Sequence, residues 1–184
     1  MEQEIKILKS GTSEEKIKIL EVLESTDDFK TIKIIIDCLD DPDIKVRGEA
    51  FSSLILNENK ISNLLINSLK DSNKNIRGFG ALVLANRNET TSIPAIVDLV
   101  KDERSMVRSC ALGALGHLRA KEARDTVHNC ILDPNIEVKK SALQALINLE
   151  EGISEKEILE ISNEKDAELE QLIDKLKKSG PEGI

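Results

Sequence analysis

The chain contains no Trp, no Tyr and only three Phe among its 184 residues. Hydrophobic residues nevertheless make up 40% of the sequence, so a core must be built almost entirely from Ile, Leu, Val and Ala. Charged residues of both signs reach 33%, which is typical of a folded chain with a well-solvated surface. This aliphatic composition favours packed helices or helical repeats.

Residues that bind metals or act as nucleophiles are scarce. The three cysteines, Cys38, Cys110 and Cys130, form no CxxC pair, which argues against a disulfide framework and a cysteine-based zinc site. The sequence also lacks a P-loop and the GxGxxG, HExxH and GxSxG motifs. We therefore expect no catalytic residue, no metal site and no bound cofactor.

Basic charge and long apolar runs are also missing. The net charge is −8, and residues 150–184 hold eleven Asp or Glu against five Lys, so the preceding region is nearly neutral. Nucleic-acid binding is not expected without a concentrated basic surface. The N-terminus has no apolar signal-peptide core, and no run approaches the roughly 18 apolar residues of a membrane span. We expect a cytoplasmic protein without membrane association.

A repeat of about 31 residues dominates what is present. The segments DPDIKVRGEAFSSLI, DSNKNIRGFGALVLA, DERSMVRSCALGALG and DPNIEVKKSALQALI align without a gap. They begin at the acidic residues Asp41, Asp71, Asp102 and Asp133. Six positions later each has a basic residue, namely Arg47, Arg77, Arg108 and Lys139. A period of this length indicates a solenoid or an array.

Each repeat is predicted to be a helix pair. Val46, Ala50 and Leu54 recur at four-residue spacing and therefore lie on one buried helical face. An apolar segment of about three turns precedes each such helix, and no period-2 strand pattern is present, so the predicted fold is all-α. We expect one domain over 1–184, with repeats at 28–57, 58–88, 89–119 and 120–150, end caps at 1–27 and 151–179, and a flexible tail at 180–184.

Two local predictions follow from the repeat. Asp41 and Asp133 each precede a proline, which is typical of an N-cap followed by proline at the first helical position. The N-terminal cap pair lacks a recognisable acidic and arginine column. The acidic residues 150–178 are interpreted as a solvated cap, with recruitment of a basic protein as the alternative.

The pattern DPDIKVRGEAFSSL resembles the HEAT repeat, and its short period resembles the HEAT-like repeats of phycobilisome lyases. The resemblance covers residues 28–150 strongly and both ends weakly. It implies a right-handed α-solenoid of about six antiparallel helix pairs, related to the armadillo type. It also implies that the acidic column pairs with the basic column as a ladder between repeats. A structural role for that ladder is the main interpretation, and anion binding by the arginines is the alternative.

Enzymes with HEAT-like repeats carry motifs that this sequence lacks. Deoxyhypusine hydroxylases carry paired His-Glu motifs, whereas His117 is followed by Leu118 and His128 by Asn129. The HEAT-like DNA glycosylases use aromatic side chains in a basic groove, which this composition does not provide. An accessory or lyase-like protein acting on a modified protein or chromophore stays open as the alternative function.

The main prediction is a non-catalytic scaffold that binds a protein or peptide. In a solenoid the second helices line the extended concave surface that meets partners. Opposite the buried stripe, the repeats place a strip of small and apolar residues that are unexpected on a solvated face. We predict a shallow apolar groove there, with close helix packing around a partly buried Phe79 as the alternative. The candidate binding residues are Gly78, Phe79, Leu82, Cys110, Gly113, His117 and Gln144.

Overall fold

The computed structural model describes residues 2–162 and 165–179, and the predicted tail at 180–184 lies outside these ranges. Every regular element in them is helical, which confirms the all-α prediction. The α-helices are α1 Glu2–Ser10, α2 Ser13–Leu23, α3 Phe29–Asp37, α4 Ile44–Leu56, α5 Ser62–Ser68, α6 Lys74–Asn86, α7 Ile93–Leu99, α8 Ser105–His117, α9 Arg124–Asn129, α10 Ile136–Leu149, α11 Glu155–Ile161 and α12 Ala167–Ser179. Each predicted repeat or cap range holds one pair.

The chain divides into two compact units, Met1–Ser92 and Ile93–Ile184. In the first unit, the first helices α1, α3 and α5 form one layer and the second helices α2, α4 and α6 form the other. In the second unit, α10 packs between α8 and α12. The boundary falls inside the predicted third repeat, and organisation as a single domain stays a prediction.

The predicted apolar stripe forms the core of the second helices. Val46, Ala50 and Leu54 are at most 1% exposed, and the equivalent residues of α6, α8 and α10 are also buried. The buried hydrophobic residues are aliphatic side chains, alanines and two cysteines, whereas Phe29 is 65% exposed. The core is therefore aliphatic, as the composition predicts.

The predicted N-caps are wrong by two residues. Helix α4 begins after Asp43 and α10 after Asn135, and their side chains accept hydrogen bonds from amides one or two residues into each helix. Asp41 Oδ1 instead accepts the Asp43 N–H at 2.9 Å, because the acidic residue closes a turn ahead of the true cap. The proline therefore lies in the loop, and the acidic column orders the loop between the paired helices.

Helices α6, α8 and α10 end in the same way. Asn88, Arg119 and Glu150 follow or cap them with positive φ values of 56°, 49° and 62°. In each case the next amide bonds back to a carbonyl five residues earlier, for example Ala120 N to Leu115 O at 3.1 Å. These bonds satisfy helix carbonyls that would otherwise lack partners. Each end carries some strain, since left-handed backbone is unfavourable for residues with a Cβ.

Polar side chains join the loops of consecutive repeats. Arg87 is nearly buried, and its guanidinium donates to the Leu54 carbonyl at 2.9 Å, to the Asn59 carbonyl at 3.0 Å and to the Asn57 carbonyl. Asn57 in turn donates from Nδ2 to the Thr26 carbonyl at 2.8 Å. The backbone at the ends of α2 and α4 is thus bonded by a side chain of the following repeat.

Candidate functional site

An apolar groove lies on the second helices of the first unit. Its volume is about 330 Å³, and it is lined by Ile44, Arg47, Gly48 and Phe51 of α4 and by Phe79 and Leu82 of α6. The spacing of the α4 residues places all four on one helical face. Ile44 is 72% exposed, and both phenylalanines are half-buried. The groove is therefore an open apolar surface on a chain that is one-third charged.

Gly48 keeps this groove open. It lies in the interior of α4, where glycine costs about 0.8–1.0 kcal/mol relative to alanine. A Cβ added to Gly48 would meet no atom within 4 Å, so packing inside the described structure does not require glycine there. Gly116 differs, because its Cβ would lie 2.9 Å from Ala145 Cα. The absence of a side chain at Gly48 leaves space that a partner can fill.

The sequence analysis found only part of this groove. Phe79 and Leu82 line it, but Gly78 is buried and is removed from the candidate surface. Ile44 and Phe51 were missed, although their spacing relative to Arg47 and Gly48 places them on the same helical face.

The other four candidates belong to the second unit. Gly113 and Gln144 are exposed and line a second pocket of about 270 Å³. Cys110 is half-buried, and its Sγ lies 3.6 Å from Met106 Sδ. His117 is exposed at the last residue of α8. These residues are described only within their own unit, so one strip that includes Phe79 and Leu82 stays a prediction.

Lys140 lines the second pocket and is surrounded by three carboxylates. Lys140 Nζ lies 3.0 Å from an Asp166 oxygen, 3.0 Å from a Glu168 oxygen and 3.2 Å from a Glu137 oxygen. These carboxylates, Asp166 first, raise the pKa of Lys140. The contacts join α10 to the start of α12, which also buries Leu169, Leu172, Ile173 and Leu176. The contacts support a capping role for the C-terminal pair.

An acidic cluster lies on the other side of α4 from the groove. Glu49 and Ser53 are one turn apart, and Ser53 Oγ donates to the Leu20 carbonyl of α2 at 2.8 Å, so this face of α4 packs against α2. Burial, and then repulsion by Glu21 and Glu24, raises the pKa of Glu49. In the described part of the chain, none of the three glutamates forms an ion pair. We call Glu21, Glu24 and Glu49 the acidic cluster.

Most of the acidic and basic side chains that recur in the repeats form bonds with other groups of the same chain. Arg108 donates from Nε and Nη2 to both carboxylate oxygens of Asp133, at 2.7 and 2.8 Å. Burial opposes ionisation of Asp133, but hydrogen bonds from Arg108 and the Asn135 amide outweigh it and lower its pKa. This pair joins neighbouring repeats and gives the arginine a structural role.

The first unit departs from the expected ladder. Arg47 Nη1 donates to the Asp41 and Pro42 carbonyls, and the structure shows no ion pair between its guanidinium and Asp71. Asp40 takes part in joining these repeats, since it accepts from the side-chain amides of Asn73 and Asn75. Arg47 therefore stabilises the loop that precedes its own helix.

The N-terminal pair retains a basic column, contrary to the sequence analysis. Lys16 Nζ lies 2.6 Å from Asp41 Oδ2. Lys16 stands 31 positions before Arg47, the repeat spacing itself, so counting back one period would have found it. The substitution of lysine for arginine hid the match.

The described residues show little reactive chemistry. Burial raises the pKa of the Cys38, Cys110 and Cys130 thiols to about 11, which leaves them protonated at neutral pH. Across residues 2–162 and 165–179, no group of three or more His, Cys, Asp or Glu is placed to hold a metal ion. Within the same ranges, no helix is both long and apolar enough to cross a membrane.

Comparison with known proteins finds a repeat family that matches part of the chain. Residues 62–148 match the family model of HEAT repeats. A search of curated protein sequences finds no significant match.

Solved structures share the fold at low identity. A designed armadillo repeat protein in complex with the peptide (KR)4 is 15% identical with a TM-score of 0.57, covering 97% of this chain and 98% of its own. The complex of CpcE and CpcF of phycocyanin lyase from Nostoc sp. PCC7120 is 20% identical with a TM-score of 0.58, covering 94% and 73%. An engineered protein is 16% identical with a TM-score of 0.59, covering 99% and 98%. These similarities confirm an all-α fold of the HEAT and armadillo type.

Proposed function

We propose that this chain, whose residues 62–148 match the family model of HEAT repeats, is a non-catalytic scaffold that binds a partner protein or peptide in the apolar groove on α4 and α6. The observation that carries the proposal is Gly48. Its helix bears the cost of glycine, no intramolecular contact requires it, and its missing side chain opens the groove between Phe51 and Phe79. Exposed apolar surface beside open space is typical of a protein-binding site.

Two further observations support a binding role. The paired charges of the repeat columns are used within the protein, as in Arg108 with Asp133, so they leave little chemistry for catalysis. Among the structural relatives, the designed armadillo protein is in complex with a peptide and the lyase subunits form a complex with each other. Solenoid repeat proteins use an extended concave surface to bind other chains.

The test fills the groove without disturbing the fold. Gly48→Trp would place an indole in open space, whereas Gly48→Ala would leave most of the groove free. Affinity capture from the native organism, with mass spectrometry, should recover the same partner with the wild type and Gly48→Ala but lose it with Gly48→Trp. Phe79→Glu with Leu82→Glu should also lose it while the circular dichroism stays helical.

A matched control separates groove binding from general stickiness. Phe29 is 65% exposed on α3 and does not line the groove, so Phe29→Glu removes apolar surface elsewhere. Capture should survive this change. If a partner is retained by Gly48→Trp and by the Phe79 and Leu82 double variant, the groove is not the binding site.

A further inference from the structure

The acidic cluster carries negative charge that the described part of the fold does not neutralise. Glu21 and Glu24, at the end of α2, repel Glu49 of α4, which lies one turn from the contact of Ser53 with Leu20. Within the described residues none of the three glutamates forms an ion pair, and Glu21 and Glu24 are exposed. Like charges left unpaired near one another lower stability, and a bound cation relieves that repulsion.

The cluster and the groove flank the same helix. Ile44, Gly48 and Phe51 face α6, whereas the face with Glu49 and Ser53 packs against α2. Neighbouring helix axes are about 8–10 Å apart, so the centres of the two features are separated by roughly that distance. An extended peptide advances about 3.3–3.6 Å per residue, so three residues span the gap.

We infer that the partner segment is basic, with a bulky apolar residue that fills the groove and a lysine or arginine about three residues away that contacts the acidic cluster. The inference rests on the proposed function, because the groove supplies the anchor. One cation, Arg47, lines the groove and donates from Nη1 to two backbone carbonyls, whereas three carboxylates lie on the opposite side of α4. Charge complementarity therefore favours a basic segment over an acidic one.

The probes are two 15-residue peptides on a Gly/Ser background, each with a central Leu-Phe anchor. One carries lysine three residues to either side of the anchor, and the other carries glutamate at the same positions. Titration into the ¹⁵N-labelled full chain, followed by NMR, measures affinity and maps the contacted amides. We expect about tenfold tighter binding of the lysine peptide at low salt, falling to within about twofold in 1 M NaCl, where the Debye length is about 3 Å.

Two charge variants locate the effect. Glu21→Gln, Glu24→Gln and Glu49→Gln together should reduce the lysine preference to within about threefold. A control with the same net charge neutralises exposed glutamates elsewhere and should keep the preference. The control combines Glu58→Gln, Glu122→Gln and Glu170→Gln.

The outcomes separate the two proposals. Binding that Gly48→Trp abolishes but that does not distinguish lysine from glutamate would overturn the inference and leave the scaffold function standing. A lysine preference that survives in the triple variant of the acidic cluster would overturn it too, as would failure of the lysine peptide to bind. Binding that Gly48→Trp leaves unchanged would instead count against the groove itself.

Discussion

Replacing Gly48 by alanine should stabilise the protein. Glycine in a helix interior is less favourable than alanine by about 0.8–1.0 kcal/mol, chiefly because its backbone loses more freedom on folding. At Gly48 the new Cβ would meet nothing within 4 Å, so no steric cost offsets the gain. The free energy of unfolding should therefore rise by about 0.8–1.0 kcal/mol.

For a chain of 184 residues this gain corresponds to a Tm increase of about 2–4 °C. Thermal and urea unfolding, followed by circular dichroism at 222 nm, provide the measurement. Gly116→Ala is the matched control, since the same substitution there puts a Cβ 2.9 Å from Ala145 Cα and 3.2 Å from Ala145 Cβ. Overpacking of this kind costs about 1–3 kcal/mol, so this variant should be less stable than the wild type.

The Gly48→Ala and Gly116→Ala variants test two separate points. If Gly48→Ala brings no gain, the site is not open space, and the argument that glycine is kept for a partner fails. If Gly116→Ala stabilises the protein, the close approach of α8 to Ala145 of α10 is wrong. Stability that rises at Gly48 and falls at Gly116 would support the distinction between a glycine needed for packing and one that leaves a groove open.

Two further predictions concern a contact between repeats and the end of a helix. Asp133→Asn keeps the turn but loses the ion pair with Arg108, and it should lower stability by about 1–3 kcal/mol at pH 7. Because folding lowers the pKa of Asp133, its contribution is present above the unfolded value near 3.9 and is lost as pH falls through the folded value. The difference between variant and wild type in urea unfolding should thus shrink below about pH 4, and an unchanged difference at pH 3 would contradict the assignment. Arg119→Gly should raise the free energy of unfolding by about 1 kcal/mol in the same assay, because φ is 49° there and glycine adopts it without strain. A loss of stability would mean that the Arg119 side chain matters more than its backbone strain.

The sequence predicted the helix pairs well because burial repeats with a period that local geometry fixes. Val46, Ala50 and Leu54 lie on one helical face wherever the helix is placed, so four-residue spacing suffices to assign them to the core. The exact start of a helix is less constrained. Asp41 and Asp43 are both good N-caps, and only the backbone hydrogen bonds show that Asp43 caps the helix while Asp41 closes the turn before it.

The candidate site was harder to predict, because exposure depends on the neighbouring repeat. Gly78 and Gly48 occupy the same position of their repeats, yet Gly78 is buried and Gly48 faces open space. Lys16 likewise was not predicted to belong to the basic column, and its 2.6 Å contact with Asp41 identifies it as a member. A repeat pattern shows which residues are equivalent, but it does not show which atoms surround each of them.

From its sequence alone this protein is an aliphatic, all-α chain of HEAT-type helix pairs, because periodicity and composition act through local helix geometry. The groove of Ile44, Phe51 and Phe79, the opposed acidic cluster and the contrast between Gly48 and Gly116 were decided by the tertiary structure. Each of these features arises between side chains about one repeat apart in sequence. The distances between these residues depend on how the helices pack, and a local sequence pattern does not predict that packing.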